Sequence, residues 1–140
     1  MKLIQMANSI ANPVVASDRI NFGLVDRRIN GNCNTFTNTD TTISINQSGY
    51  YEVNVSANFV PSAAGLVSIE LYEGTTPIPT AIASTTGVIG DTYNLNFSKI
   101  IRVLPNCCGV VTNIPTVLSV VNTGVAGSVS TFNISVKKVG

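Results

Sequence analysis

The chain has 140 residues, a formal net charge of +1, and 11% charged against 44% hydrophobic residues, where soluble proteins usually carry about 25% charged residues. That length suits one domain with a single two-layer core. A near-neutral chain whose only adjacent basic pairs are Arg27-Arg28 and Lys137-Lys138 lacks the cation cluster that neutralises phosphates, so no nucleic-acid partner is expected.

The opening MKLIQMANSIANPVVAS is interrupted by Gln5, Asn8 and Ser9. It has no continuous apolar stretch of signal-peptide length. No run in the chain approaches the roughly 20 apolar residues that span a bilayer, so no membrane partner is expected. Residues 1–13 read as an N-terminal arm ending at Pro13, in which Leu3, Ile4, Met6 and Ile10 would pack on a neighbour, either as a short helical face or extended. Residues 14–29 carry strand character, with Ile20, Phe22 and Leu24 alternating with Asn21 and Gly23. Residues 30–41 form a loop opened by the turn signal Asn30-Gly31. Phe36 would anchor this loop.

Residues 43–59, ISINQSGYYEVNVSANF, hold two period-2 runs around a Gly-centred turn. Tyr51, Val53, Val55, Ala57 and Phe59 share one face, while Glu52, Asn54, Ser56 and Asn58 share the other. A strand throws successive side chains to opposite faces, so this pattern marks strands with one side in a core and one toward water. Residues 66–73 repeat it, with Val67, Ile69 and Leu71 inward. Residues 74–80 read as a turn, with Pro77 and Pro79 ruling out a central strand there, and residues 81–84 suit a short edge strand. In 92–104, Tyr93, Leu95 and Phe97 point inward. Continuing the alternation would send Lys99 inward, which predicts a bulge or change of sheet near Ser98–Ile100. Residues 116–122 and 128–138 close the chain, the last with Phe132, Ile134 and Val136 on one face. Eight to ten short strands separated by Gly, Asn and Pro turns define an all-β sandwich or barrel.

The chain has no His and no Trp. This excludes Ser-His-Asp and Cys-His catalysis and every His-ligated metal. Glu52 and Glu70 fall on water-facing strand positions and would be the carboxylate pair of a glycosidase if they met across a sheet, but no aromatic sugar platform accompanies them. Asn32, Asn34, Asn38 and Asp40 offer oxygens in one loop. With a single carboxylate among them they suit a solvated turn better than calcium. The three cysteines, Cys33, Cys107 and Cys108, have neither the number nor the spacing of a zinc site. Free thiols are expected, with a bridge from Cys33 to one of the pair only if the fold joins them. No catalytic residue, cofactor or metal is therefore expected. The N-x-S triplets at Asn46, Asn54, Asn96 and Asn133 follow from polar residues spaced two apart on an outer strand face. Tyr50 and Tyr72 are the candidate surface-binding residues for a partner or a host-surface glycan.

The order of ISINQSGYYEVNVSANF, SIELYEGTTPIPT, NLNFSKIIRVLPN, TVLSVVNTG and FNISVKK resembles the TNF-like jelly roll. The likeness is greatest to bacterial and phage relatives of the complement globular head, such as small phage virion surface proteins and the C-terminal domains of collagen-like spore-surface glycoproteins. The step Ser48-Gly49-Tyr50-Tyr51 matches the family's turn into a core strand. The final strand, Thr131-Phe132-Asn133-Ile134, departs from the more aromatic ending of vertebrate members, and the 140 residues contain no collagen-like Gly-X-Y repeat. The resemblance covers about residues 14–140. It implies an antiparallel jelly-roll β-sandwich that assembles as a homotrimer, with Val53, Val55, Leu95, Phe97, Phe132, Ile134 and Val136 divided between the sandwich core and the threefold axis. The expected function is a non-enzymatic structural virion protein of a tailed bacteriophage: a head fibre, capsid decoration or tail-associated trimer. It would be assembled in the host cytoplasm, displayed on the virion surface, and held to capsid or tail proteins through the arm. The alternatives are a bacterial spore-surface or appendage module and a carbohydrate-binding adhesin.

Overall fold

The computed structural model describes residues 1–31, 34–105 and 114–140, and all its regular elements are strands. In chain order these are β1 (Leu3–Asn8), β2 (Asn12–Val14), β3 (Leu24–Ile29), β4 (Phe36–Asn38), β5 (Ile43–Ile45), β6 (Gly49–Pro61), β7 (Gly65–Glu73), β8 (Thr76–Gly87), β9 (Tyr93–Val103), β10 (Thr116–Asn122) and β11 (Gly127–Lys138). They form two antiparallel sheets. The first runs β3-β1-β11-β6-β9 with β2 also on β11, and the second runs β4-β5-β10-β7-β8. The chain steps repeatedly from one sheet to the other, as in a jelly roll. Cys33, Cys107 and Cys108, with Asn32 of the loop considered for calcium, lie outside the described residues.

The core lies between the sheets. Tyr51, Val53, Val55, Ala57 and Phe59 of β6 face Val67, Ile69 and Leu71 of β7, and all eight are buried. Phe22 stacks parallel on Phe132 with ring centroids 5.3 Å apart. Phe36 meets Tyr51 edge-on at 5.8 Å. Tyr51 is wholly buried, and its hydroxyl donates to the Gln47 carbonyl at 2.7 Å, so the ring brings no unpaired polar atom into the core.

Four expectations need correction. Residues 1–13 are not an arm. β1 lies inside the first sheet, pairing with β11 from Leu3↔Lys137 to Asn8↔Phe132 and with β3 on its other side. Ile4 and Met6 alternate with Leu3, Gln5 and Ala7, so both enter the core with no exposed surface. Leu24 does not continue the phase of Ile20 and Phe22 and is 81% exposed. Gly23 intervenes at φ +79°, pressed so close to the Ala7 carbonyl that a Cβ would come within 2.3 Å of its oxygen, and the face of the chain changes there.

The third correction concerns β9. Its ladder with β6 runs unbroken from Gly49↔Val103 to Phe59↔Tyr93, with no bulge at Ser98–Ile100. Lys99 stays in inward phase because β9 is an edge strand. Its ammonium reaches β8 and donates to Thr80 Oγ1 at 2.9 Å. Fourth, Pro77 and Pro79 belong to a strand, β8. It too is an edge, and its pairing with β7 slips between Glu70 and Tyr72, which accommodates a residue without an N–H.

β8 and β9 thus form one open side of the sandwich. On the opposite side Arg28 of β3 donates to Asn38 of β4, tying the sheets together.

Candidate interaction surfaces

The outer face of the first sheet carries rows of uncharged hydrogen-bonding side chains. One row is Asn94–Asn58–Thr131, the next Asn96–Ser56–Asn133, and the third Ser98–Asn54–Ser135, continued on β1 by Gln5. The amides are already engaged with one another. Asn96 donates to Asn94 at 2.6 Å, Asn94 to Asn58 at 2.9 Å, and Asn58 to Thr131 at 2.8 Å. Asn54 donates to Glu52 at 2.9 Å. A relay of this kind holds its donors and acceptors in a fixed pattern before any partner arrives. A shallow depression of about 410 Å³ lies along it between Asn54, Asn96, Ser98 and Asn133. Three of the four N-x-S asparagines, Asn54, Asn96 and Asn133, stand on this face, as strand alternation requires.

The apolar residues expected to be shared with a threefold axis are not on that face. Val53, Val55, Leu95, Phe132, Ile134 and Val136 are each at most 3% exposed within the single chain, and only Phe97 is half-buried. The alternation that brings them inward leaves Asn, Ser and Thr outside. Any assembly across this sheet therefore meets amides and hydroxyls. The exposed apolar groups lie at its margins: Ile100 on β9, Tyr50 on β6 and Val139 after β11.

Tyr50 and Tyr72 do not form a common patch. Tyr50 sits outward on the first sheet, 48% exposed, with the Arg102 guanidinium 5.8 Å from its ring centroid, a cation–π arrangement. The C-terminus closes on it: Val139 N donates to Tyr50 O at 2.8 Å, and Tyr50 N donates to Gly140 O at 3.1 Å. Gly49, at φ +143°, gives this approach its room, since a Cβ there would lie 2.6 Å from Gly140 O. Tyr72 sits outward on the second sheet, on the opposite side of the sandwich, paired with Ser119 of β10. Glu52 and Glu70 are separated in the same way, so the carboxylate pair considered from sequence does not assemble. Among the described residues no group of three His, Cys, Asp or Glu side chains is placed to hold a metal ion.

Of the four residues expected to anchor the chain, Ile4 and Met6 are core and Leu3 is half-buried in the first sheet. Ile10 alone stands free, 74% exposed, beyond the end of β1. Beside it is Leu24, whose exposure was not anticipated. The two residues border a depression of about 390 Å³ that also involves Asn8, Asn12, Asn21 and Asp40.

No family model matches the chain, and no curated protein matches its sequence. Solved structures do match its fold over nearly the whole length. The Eiger TNF of S. frugiperda superposes with a TM-score of 0.74 at 12% identity, covering 100% of this chain and 94% of that one. The globular domain of the zebrafish complement 1qA protein gives 0.68 at 6% identity, covering 100% and 98%. The PRD1 vertex protein P5 gives 0.56 at 16% identity, covering 99% and 97%. The chain is therefore an all-β, TNF-like jelly roll.

Proposed function

We propose that this chain is a non-enzymatic structural protein of a virus particle, displayed on the virion surface as a homotrimer. A tailed bacteriophage is the proposed source, with the trimer as a head fibre, capsid decoration or tail-associated protein assembled in the host cytoplasm. The observation that carries this reading is the preformed, uncharged amide and hydroxyl face of the first sheet, bordered by the open β8–β9 side with Ile100 and half-buried Phe97. Edge-to-face packing of one copy's open side on the next copy's amide face would cover unpaired strand edges and close around a threefold axis. The likeness to a vertex protein supports a place on a particle.

Attachment to a capsid or tail protein would use the tip around Ile10 and Leu24, because β1 is committed to the sheet. Incorporation of Ile10→Asp, Leu24→Asp double-variant protein into particles tests this. The reading requires occupancy to fall while the isolated protein keeps its fold. Full occupancy would refute attachment through this tip.

A further inference from the structure

The outer face of the second sheet holds a third depression, about 310 Å³, near the lower end of the range for small-molecule pockets. It is lined by Ser17, Arg19, Tyr72, Ser119, Val121 and Thr123, with the Gly74-Thr75 turn at its rim. Strand pairing fixes these groups. Ser119 lies opposite Tyr72, and Val121 is bridged on its other side by Arg19. The segment carrying Ser17 and Arg19 is tied to β10 by three backbone bonds: Ser17 N to Asn122 O at 2.7 Å, Asn122 N to Asp18 O at 2.9 Å, and Ile20 N to Val120 O at 2.8 Å. Gly74 N donates to Val117 O at 2.8 Å and sets the rim. Ser17 itself is held at φ +70°, a conformation that costs a non-glycine residue energy.

Ser119 is 1% exposed, and its Oγ is buried without a hydrogen-bond partner. Buried hydroxyls are nearly always paired, so an orphan on the wall of a preformed depression is an unfilled valence. Ser119 is itself one of the residues that line the depression. Arg19, Tyr72 and Val121 line the same depression. Asp18 adjoins Arg19 in the chain, and Glu70 lies opposite Val121, so the surroundings carry no surplus of positive charge to favour an anion.

We propose that this depression binds one uncharged hexopyranose unit of a glycan. A pyranose ring presents C–H groups on its faces and hydroxyls at its edge. Tyr72 and Val121 match the first, and Arg19 and Ser119 the second. Sugar binding here does not depend on the chain being part of a particle, so the isolated protein is the right sample. The test is a backbone-amide NMR titration of the full chain into the millimolar range with methyl hexopyranosides, a methyl uronate and inorganic phosphate, each alone. The expected result is saturable shifts confined to residues 17–20, 70–75 and 119–123 with at least one neutral pyranoside. Affinity should fall about tenfold in Ser119→Ala and in Arg19→Ala, matching the loss of a hydrogen bond to a charged or buried partner. Ser119→Ala removes only an orphan hydroxyl, so its fold should be unchanged, and a weakened response in that variant reports binding alone. Shifts with phosphate or the uronate but no neutral pyranoside would overturn the proposal, as would no shifts at these residues or full affinity in both variants.

Discussion

Removal of residues 1–8 decides whether the N-terminus is an attachment arm or part of the domain. Ile4 and Met6 have no exposed surface, and full burial of such side chains contributes about 1.5–3 kcal/mol each, or about 3–6 kcal/mol together. The truncation also strips β11 of its pairing from Leu3↔Lys137 to Asn8↔Phe132 and leaves β3, which pairs only with β1 among the sheet strands, without a neighbour. Backbone bonds of this kind contribute about 0.5–1.5 kcal/mol each. Against a total stability of about 5–15 kcal/mol for a domain, the deletion removes most or all of the margin. Urea unfolding followed by circular dichroism should show no cooperative transition for the truncated chain. Ile10→Ala, at an exposed site, should stay within about 0.5 kcal/mol of the parent. A truncated protein with the parent's midpoint and slope would refute the placement of β1 in the core.

Two further substitutions probe buried polar groups. Tyr51→Phe keeps the ring against Phe36 but leaves the Gln47 carbonyl without its donor, and should cost about 1–2 kcal/mol in the same assay. Asn122 is wholly buried; its amide donates to Val125 O at 2.9 Å and its Oδ1 accepts from Gly124 N at 3.0 Å. Asn122→Leu strands both groups, each worth about 1–3 kcal/mol, and should lower the unfolding midpoint more than Tyr51→Phe does.

The sheets were legible wherever a strand has one wet and one dry face. β6 and β7 show the alternation along their length, β11 shows it from Phe132 on, past a register shift between Val129 and Thr131, and every residue read there as inward is buried. Edge strands were harder to read. At β9 an inward-phase Lys suggested a bulge, and at β8 two prolines suggested a turn. A strand with one free side tolerates both, and edge position is set by partners far away in the chain. β1 carried the same alternation in Ile4 and Met6, but its brevity and the following Asn8-Ser9 suited an arm equally well. The polar outer face was implied by the alternation itself. The resemblance to trimeric jelly rolls nevertheless drew apolar residues toward an axis when the single core needs nearly all of them. The Ser119 depression was not legible, because it joins residues 17–19 to residues 119–123 through a backbone pairing that no local pattern encodes.

The proposed trimer packs through the amide face, and native mass spectrometry of the full chain at micromolar concentration detects it. The expected species has three times the 14.7 kDa chain mass. It should dissociate in Asn96→Arg, which sets a charge into the middle of that face. A parent protein found only at 14.7 kDa would refute the trimer.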